Sequence, residues 1–292
     1  GLLKSLVDTG DVKAAPEEVE KNVDANWSAD WKKYGTFDDT FYAAPMLANV
    51  KGYVWYSPKS FAEWGVEVPK TWDEMMTLTQ TIQEKTGNAP WCAGFASGDA
   101  SGWPGTDWIE NVVLRENGPD VYDQWVNHDI PFNDSKIADA FDRADTILRN
   151  PDYVNGGFGN VQSIAITSFQ EGGLPILDGQ CAMYLMGSFY SAQWPEGTEV
   201  AEDGDVYAFN LPPINPDQGT PVMGGGEFVG AFSDRPEVVA VREYLATAEF
   251  ANSRAAEGAW FSAHKGLDLD LLEVPTDRLG AEILRDPKPC SA

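Results

Sequence analysis

The chain has 292 residues, 43% of them apolar, and a formal net charge of −26. That length and apolar content allow one large domain or two medium ones with substantial cores. The acid excess disfavours nucleic acid and anionic membrane surfaces as partners, because like charges repel, and otherwise reads as a solvated surface.

The first 45 residues open with an amphipathic GLLKSLVDTGDV, continue through a polar stretch from Asp11 to Asn26, and then carry Trp27 and Trp31. From Gly52 the run GYVWY is aromatic and β-branched, which predicts a strand buried on at least one side. Pro58 ends it, with Ser57 placed to cap a short helix that stops at Gly65. Thr71 and Glu74 form a capping-box pattern at the head of a helix over 71–86. Met75, Met76, Leu78, Thr79 and Ile82 give that helix its apolar side, and Gly87 stops it.

Further helices are predicted over 107–117, 119–127, 135–149 and 186–193, and strands near 91–96, 182–185 and 206–209. The glycine-rich stretch Asn155 to Gly159 reads as a loop. A last helix is predicted over Glu237 to Thr247, opened by Asp234 or Pro236. The whole reads as an α/β protein. No uninterrupted apolar run reaches the roughly 18 residues of a membrane-spanning helix.

Catalytic signatures are absent. The sequence holds no Gly-x-Ser-x-Gly elbow, Cys-x-x-Cys, His-Glu-x-x-His, Walker loop, EF-hand loop or helix-opening Gly-x-Gly-x-x-Gly. Both histidines, His128 and His264, read as exposed loop residues rather than as bases or ligands. Gly224-Gly225-Gly226 runs into a strand-like sequence, which argues against a phosphate loop. One enzyme reading stays open, a glycoside hydrolase, since paired carboxylates leave no signature of their own.

The order of the pieces is narrower than their types. Tyr42 to Pro45, Val54 to Tyr56, Lys59 to Gly65 and Pro69 to Glu74 follow one another as they do in the crossover region of the family 1 extracellular solute-binding proteins of bacterial ABC importers, which this stretch resembles. Pro90 to Gly94, Gly102 to Glu110, Tyr122 to Trp125 and Gln180 to Phe189 resemble the second lobe of the α-glucoside-binding branch. Met223 to Phe232 resembles the returning crossover strand. The resemblance covers residues 40–265.

It implies a type II periplasmic-binding-protein-like fold with two lobes, lobe two complete and lobe one truncated. Residues 1–46 would be part of lobe one, 47–223 lobe two, and 224–292 the return crossing with more of lobe one. Crossings near Pro45 to Asn49 and Gly224 to Glu227 would form the hinge. The chain's two ends suggest a fragment lacking the signal or lipid anchor of an extracytoplasmic protein, and with lobe one incomplete it is expected to bind ligand weakly or not at all. Cysteines matching Cys92 and Cys181 look like a disulfide pair in that branch. Two buried reduced thiols are the other reading, and Cys290 would be left over.

The implied function is capture of an α-glucoside or related small oligosaccharide and its delivery to membrane permease subunits, by a monomer with no cofactor or metal. A non-transport carbohydrate sensor on the same fold is a further alternative. Sugar sites stack aromatic rings on C–H faces and fan hydrogen bonds from polar groups. Trp103, in the polar loop SGDASGWPGTDW, is expected to stack on ligand, with a structural role as the other reading. Phe189 stands where the broader family often has a stacking tryptophan. Gly225 and Gly226 would let ligand approach the backbone, or serve only hinge flexibility. Asn49, Asp99 and Asp107 are candidate polar contacts, whereas Trp55 and Trp108 read as core. Trp260 is assigned either to the inner face of lobe one or to packing.

Overall fold

In a computed structural model, residues 2–155, 160–258 and 260–285 are described. Two compact units result, one of residues 2–50 with 224–285 and one of residues 51–223. The chain therefore passes from one unit to the other twice, at 50–51 and at 223–224.

The first unit begins with helices α1 (Leu2–Asp8), α2 (Glu17–Asn26) and α3 (Ala29–Tyr34), followed by the hairpin β1 (Thr36–Phe37) and β2 (Thr40–Phe41) and by strand β3 (Ala44–Val50). It resumes after residue 223 with β9 (Gly224–Val229), α9 (Pro236–Leu245), α10 (Ala248–Ala255) and α11 (Pro275–Arg285). Strands β3 and β9 pair antiparallel, with Asn49 opposite Gly225 and Ala48 opposite Gly226. Helix α9 starts one residue before the predicted 237–247 segment, with Pro236 as its first residue, and ends two residues short of it.

Between them the second unit runs through β4 (Tyr53–Tyr56), α4 (Pro58–Trp64), α5 (Trp72–Thr86), β5 (Trp91–Cys92), α6 (Trp103–Val126), α7 (Ser135–Leu148), β6 (Val154–Asn155), α8 (Phe169–Gly172), β7 (Met183–Met186) and β8 (Tyr207–Asn210). Its sheet has the order β6-β5-β7-β4-β8, with β5 parallel to both neighbours and β4 antiparallel to both of its own. All residues of β4 and β7, two of the three inner strands, are buried. That explains why they read as unbroken apolar runs rather than alternating ones.

The helix signals act as the sequence predicts. The Ser57 hydroxyl accepts from the Ser60 N–H, and Gly65 closes α4 in the left-handed region at φ 63°. Thr71 Oγ1 accepts from the Glu74 N–H at 3.2 Å, but the Glu74 carboxylate reaches past Thr71 to the Lys70 N–H at 2.7 Å. The apolar side of α5 is buried at Trp72, Met75, Leu78 and Ile82. Trp55 and Trp108 are core residues, and Trp260 is buried.

Several details differ from expectation. The predicted 91–96 strand is regular only at Trp91–Cys92, after which Ala96 makes an isolated bridge to Ser168. The 186–193 segment is a 3₁₀ turn over Ser188–Gln193. His264 is not exposed: only 2% of it is accessible, its Nδ1 accepts from the Gly266 N–H at 2.9 Å, and burial lowers its pKa. His128 is exposed, as expected. Gly156 to Gly159 and Cys290 lie outside the described residues.

Candidate functional site

Trp103 is not in a loop. Helix α6 starts four residues earlier than predicted, so Trp103 occupies its first turn, with Gly102 at φ 102° before it and Pro104 after it. Pro fits there because the first helical N–H groups have no partner within the helix. Gly118, at φ 82°, and Pro119 break the same helix where the sequence reading separates two helices.

Trp103 meets two other rings. Its indole lies 5.0 Å from Phe169 and 5.9 Å from Phe189, and those two phenyl rings are 6.2 Å apart, at steep interplanar angles throughout. Trp103 and Phe189 are both half-buried. Phe189 bends back over its own strand end: a Cβ at Gly187 would fall 2.4 Å from its ring, so only glycine fits there. Trp55 Nε1 donates to the Gly187 carbonyl at 3.4 Å and helps fix that corner. Phe169 is held through its backbone, where its carbonyl accepts from the Tyr184 hydroxyl at 2.8 Å. The next carbonyl, of Gln170, accepts from the Tyr190 hydroxyl at 2.6 Å. Both tyrosines are buried, so α8 is clamped from the core.

A charged pair adjoins the rings. Lys51 Nζ lies 4.7 Å from the Trp103 ring centroid, 5.2 Å from that of Phe189 and 3.3 Å from Asp107 Oδ2. The two side chains are only 21% and 15% exposed. Burial raises the Asp107 pKa to about 6, an effect that Lys51 opposes and Glu110 reinforces.

One turn further along α6, Asn111 Nδ2 donates to the Lys51 and Asp107 carbonyls at 3.3 and 2.8 Å. Two turns along, buried Arg115 donates to Asn111 Oδ1 at 2.6 Å and, through Nε, to the Leu211 carbonyl at 2.8 Å. Spacing of four residues puts Asp107, Asn111 and Arg115 on one side of α6, the side that carries Lys51. The chain can therefore present aromatic faces, an ammonium and a carboxylate at one place, which suits binding of a polar ring-shaped molecule.

Of the predicted site residues, Trp103, Phe189 and Asp107 come together here. Asp99 is exposed and makes no ion pair or side-chain hydrogen bond with the described residues of this cluster. Asn49, Gly225 and Gly226 form a second group on the β3–β9 ladder of the other unit. Asn49 is buried, and its Oδ1 has no partner among the described residues. At Gly226 a Cβ would meet the Leu47 carbonyl at 2.4 Å and the Trp31 ring at 2.6 Å, so this glycine makes room for its own unit's packing.

Lys51 and Phe169 escaped the sequence reading. Lys51 is the lone charge between Phe41 and Tyr56, and Phe169 follows Ser168, whose hydroxyl accepts from the Glu171 N–H in an S-x-x-E cap. The Cys92–Cys181 disulfide expected from the resemblance is present. With Cα atoms 5.5 Å apart, it ties the end of β5 to the chain leading into β7.

Known proteins share this organisation. The osmoprotective compounds-binding protein GgtB of Synechocystis sp. (strain ATCC 27184 / PCC 6803 / Kazusa) is 38% identical over 96% of this chain and 64% of its own length. The alpha-glucosides-binding periplasmic protein AglE of Rhizobium meliloti (strain 1021) is 33% identical over 97% of this chain and 63% of its own. The chain thus spans just under two thirds of either relative. Among solved structures, a chitin oligosaccharide binding protein superposes with a TM-score of 0.78 at 20% identity, covering 97% of this chain and 68% of that one. The solute receptor AcbH gives 0.73 at 21% identity, over 98% and 70%. These likenesses place the fold among the α/β solute-binding proteins. A profile of the bacterial extracellular solute-binding proteins matches residues 3–255, and the chain belongs to that family.

Proposed function

We propose that the chain is the substrate-binding component of an ABC importer and captures an α-glucoside or a related small oligosaccharide outside the cytoplasm. The observation that carries this reading is the corner of Trp103, Phe169 and Phe189 beside Lys51 and Asp107. Aromatic faces take the C–H side of a pyranose, and the Asp107 carboxylate accepts from its hydroxyls. The name of the Rhizobium relative supports α-glucosides as the ligand class. Lobe two, expected from the sequence over 47–223, is read as the unit of residues 51–223, and the other unit as part of lobe one. The ligand leaves chemically unchanged for membrane permease subunits; the protein is a monomer without cofactor.

Calorimetric titration of the chain with maltose, trehalose, sucrose and isomaltose, with product analysis on the same samples, tests this. Weak binding without hydrolysis is expected of this chain, and Trp103→Ala should weaken it further, about tenfold or more, by removing a stacking face. Released glucose would make the protein an enzyme. Silence with all four sugars would move the ligand outside the α-glucosides.

A further inference from the structure

The stacking surface is already occupied by the protein itself. Lys51 Nζ stands over both rings on which a sugar would stack, 4.7 Å from the Trp103 centroid and 5.2 Å from the Phe189 centroid. Stacked sugar carbons would lie about 3.5–4.0 Å from the ring atoms, in the space that the ammonium fills. Asp107 tethers the ammonium there at 3.3 Å, and Asn111 fixes the backbone carbonyls of both Lys51 and Asp107. The contact is thus held by Asp107 and Asn111, and the Lys51 side chain is only 21% exposed, a setting in which cation–π attraction is stronger than at an open surface.

We propose that Lys51 is the specificity-determining residue of this site: its ammonium covers the Trp103 and Phe189 rings, and a neutral sugar binds only by moving that ammonium aside. This rests on the sugar-binding reading above. It makes Lys51 a selectivity filter, because a ligand with too little apolar face to replace the cation–π contact cannot displace it.

Two substitutions and one spectrum test the proposal. Lys51→Met keeps the unbranched stem but removes the charge, and should tighten binding of the preferred neutral sugar about tenfold. Lys51→Arg places a flatter cation on the same rings and a fork on Asp107, and should weaken it several-fold. If Lys51 instead donated to the ligand, the order would reverse, with Met weakest and Arg near wild type; that order, or no change in either variant, overturns the proposal. Should Lys51→Met not fold, Lys51→Arg alone still decides, since weaker binding supports displacement and unchanged or tighter binding refutes it.

In the ligand-free protein, the Lys51 Cε protons, assigned by comparison with Lys51→Met, should show an upfield ring-current shift in the NMR spectrum that disappears at sugar saturation. A shift that persists at saturation, or is absent from the start, overturns the proposal. If the wild type binds sugar and the variants behave the same, only the role of Lys51 is lost. If neither wild type nor variants bind any sugar while the ring shift is present, the sugar reading has failed and the proposal with it.

Discussion

Helices α5 and α9 look alike as sequences and end up in opposite situations. Helix α5 buries Trp72, Met75, Leu78, Thr79 and Ile82 against the five-stranded sheet. Helix α9, PEVVAVREYL, buries Arg242 alone and leaves Val241 57% and Tyr244 44% exposed. The same contrast holds for the strands: β4 and β7 are buried throughout, whereas β9 is exposed or half-exposed along its length. An apolar stripe therefore states what a helix offers to a core, and only the layer facing it decides whether the offer is taken up. Residues 51–223 have that layer, and the proposed sugar corner is anchored to it through Tyr184, Tyr190 and Trp55.

The deepest point of that core gives the largest expected effect. Trp91 is fully buried, packs 5.2 Å from Trp108 and donates to Thr79 Oγ1 at 3.0 Å. Trp91→Ala should cost about 3–5 kcal/mol, measured by denaturant unfolding, because it leaves a large cavity and removes the bond to Thr79, whose hydroxyl keeps only its own donation to the Met75 carbonyl. A loss below 1 kcal/mol would mean that the core of residues 51–223 is not the rigid member of the pair. The disulfide comes next. It closes a loop with a sequence separation of 89, from the end of β5 to the chain leading into β7, and replacing both cysteines by alanine should cost about 2–4 kcal/mol.

The legible parts of the sequence were those in which a few adjacent residues settle a conformation. Ser57, Thr71, Gly65 and Gly87 fix helix ends locally, and GYVWY has no alternative but burial. Trp103 and Phe189, whose rings lie 5.9 Å apart, were legible through the resemblance as candidates for stacking. Lys51 was not, because its role depends on rings 52 and 138 positions away in the chain, at Trp103 and Phe189, and on a carboxylate brought alongside by α6. His264 was misread for the same reason: its polar neighbours in sequence say nothing of Trp27, whose ring packs 5.8 Å from it.

Asp107 sharpens the comparison by pH. Its carboxyl has a pKa of about 6 in the folded chain against an ordinary value near 3.8, so the folded state holds the proton more tightly. Stability is unaffected below about 3.8, where both states are protonated, falls as pH rises towards 6, and carries the full penalty above that, on the order of 3 kcal/mol. Asp107→Asn, which mimics the protonated acid, should match the wild type near pH 4 and exceed it at pH 7 to 8. Parallel stability curves for the two proteins across that range would place Asp107 in a more solvated setting than its 15% side-chain exposure indicates.

The smallest expected effect belongs to α9. Val241→Ala removes two methyl groups that are already largely in water, and alanine is the better helix former, so the change should lie within about 0.5 kcal/mol of zero. Met75→Ala on α5, where the side chain is fully buried, should cost about 2–5 kcal/mol. The two variants compare an apolar side chain with and without a facing layer on helices of similar character. If Val241→Ala proved as costly as Met75→Ala, the valine would have to be covered in solution, and the contrast between the two helices would belong to their partners rather than to their own packing.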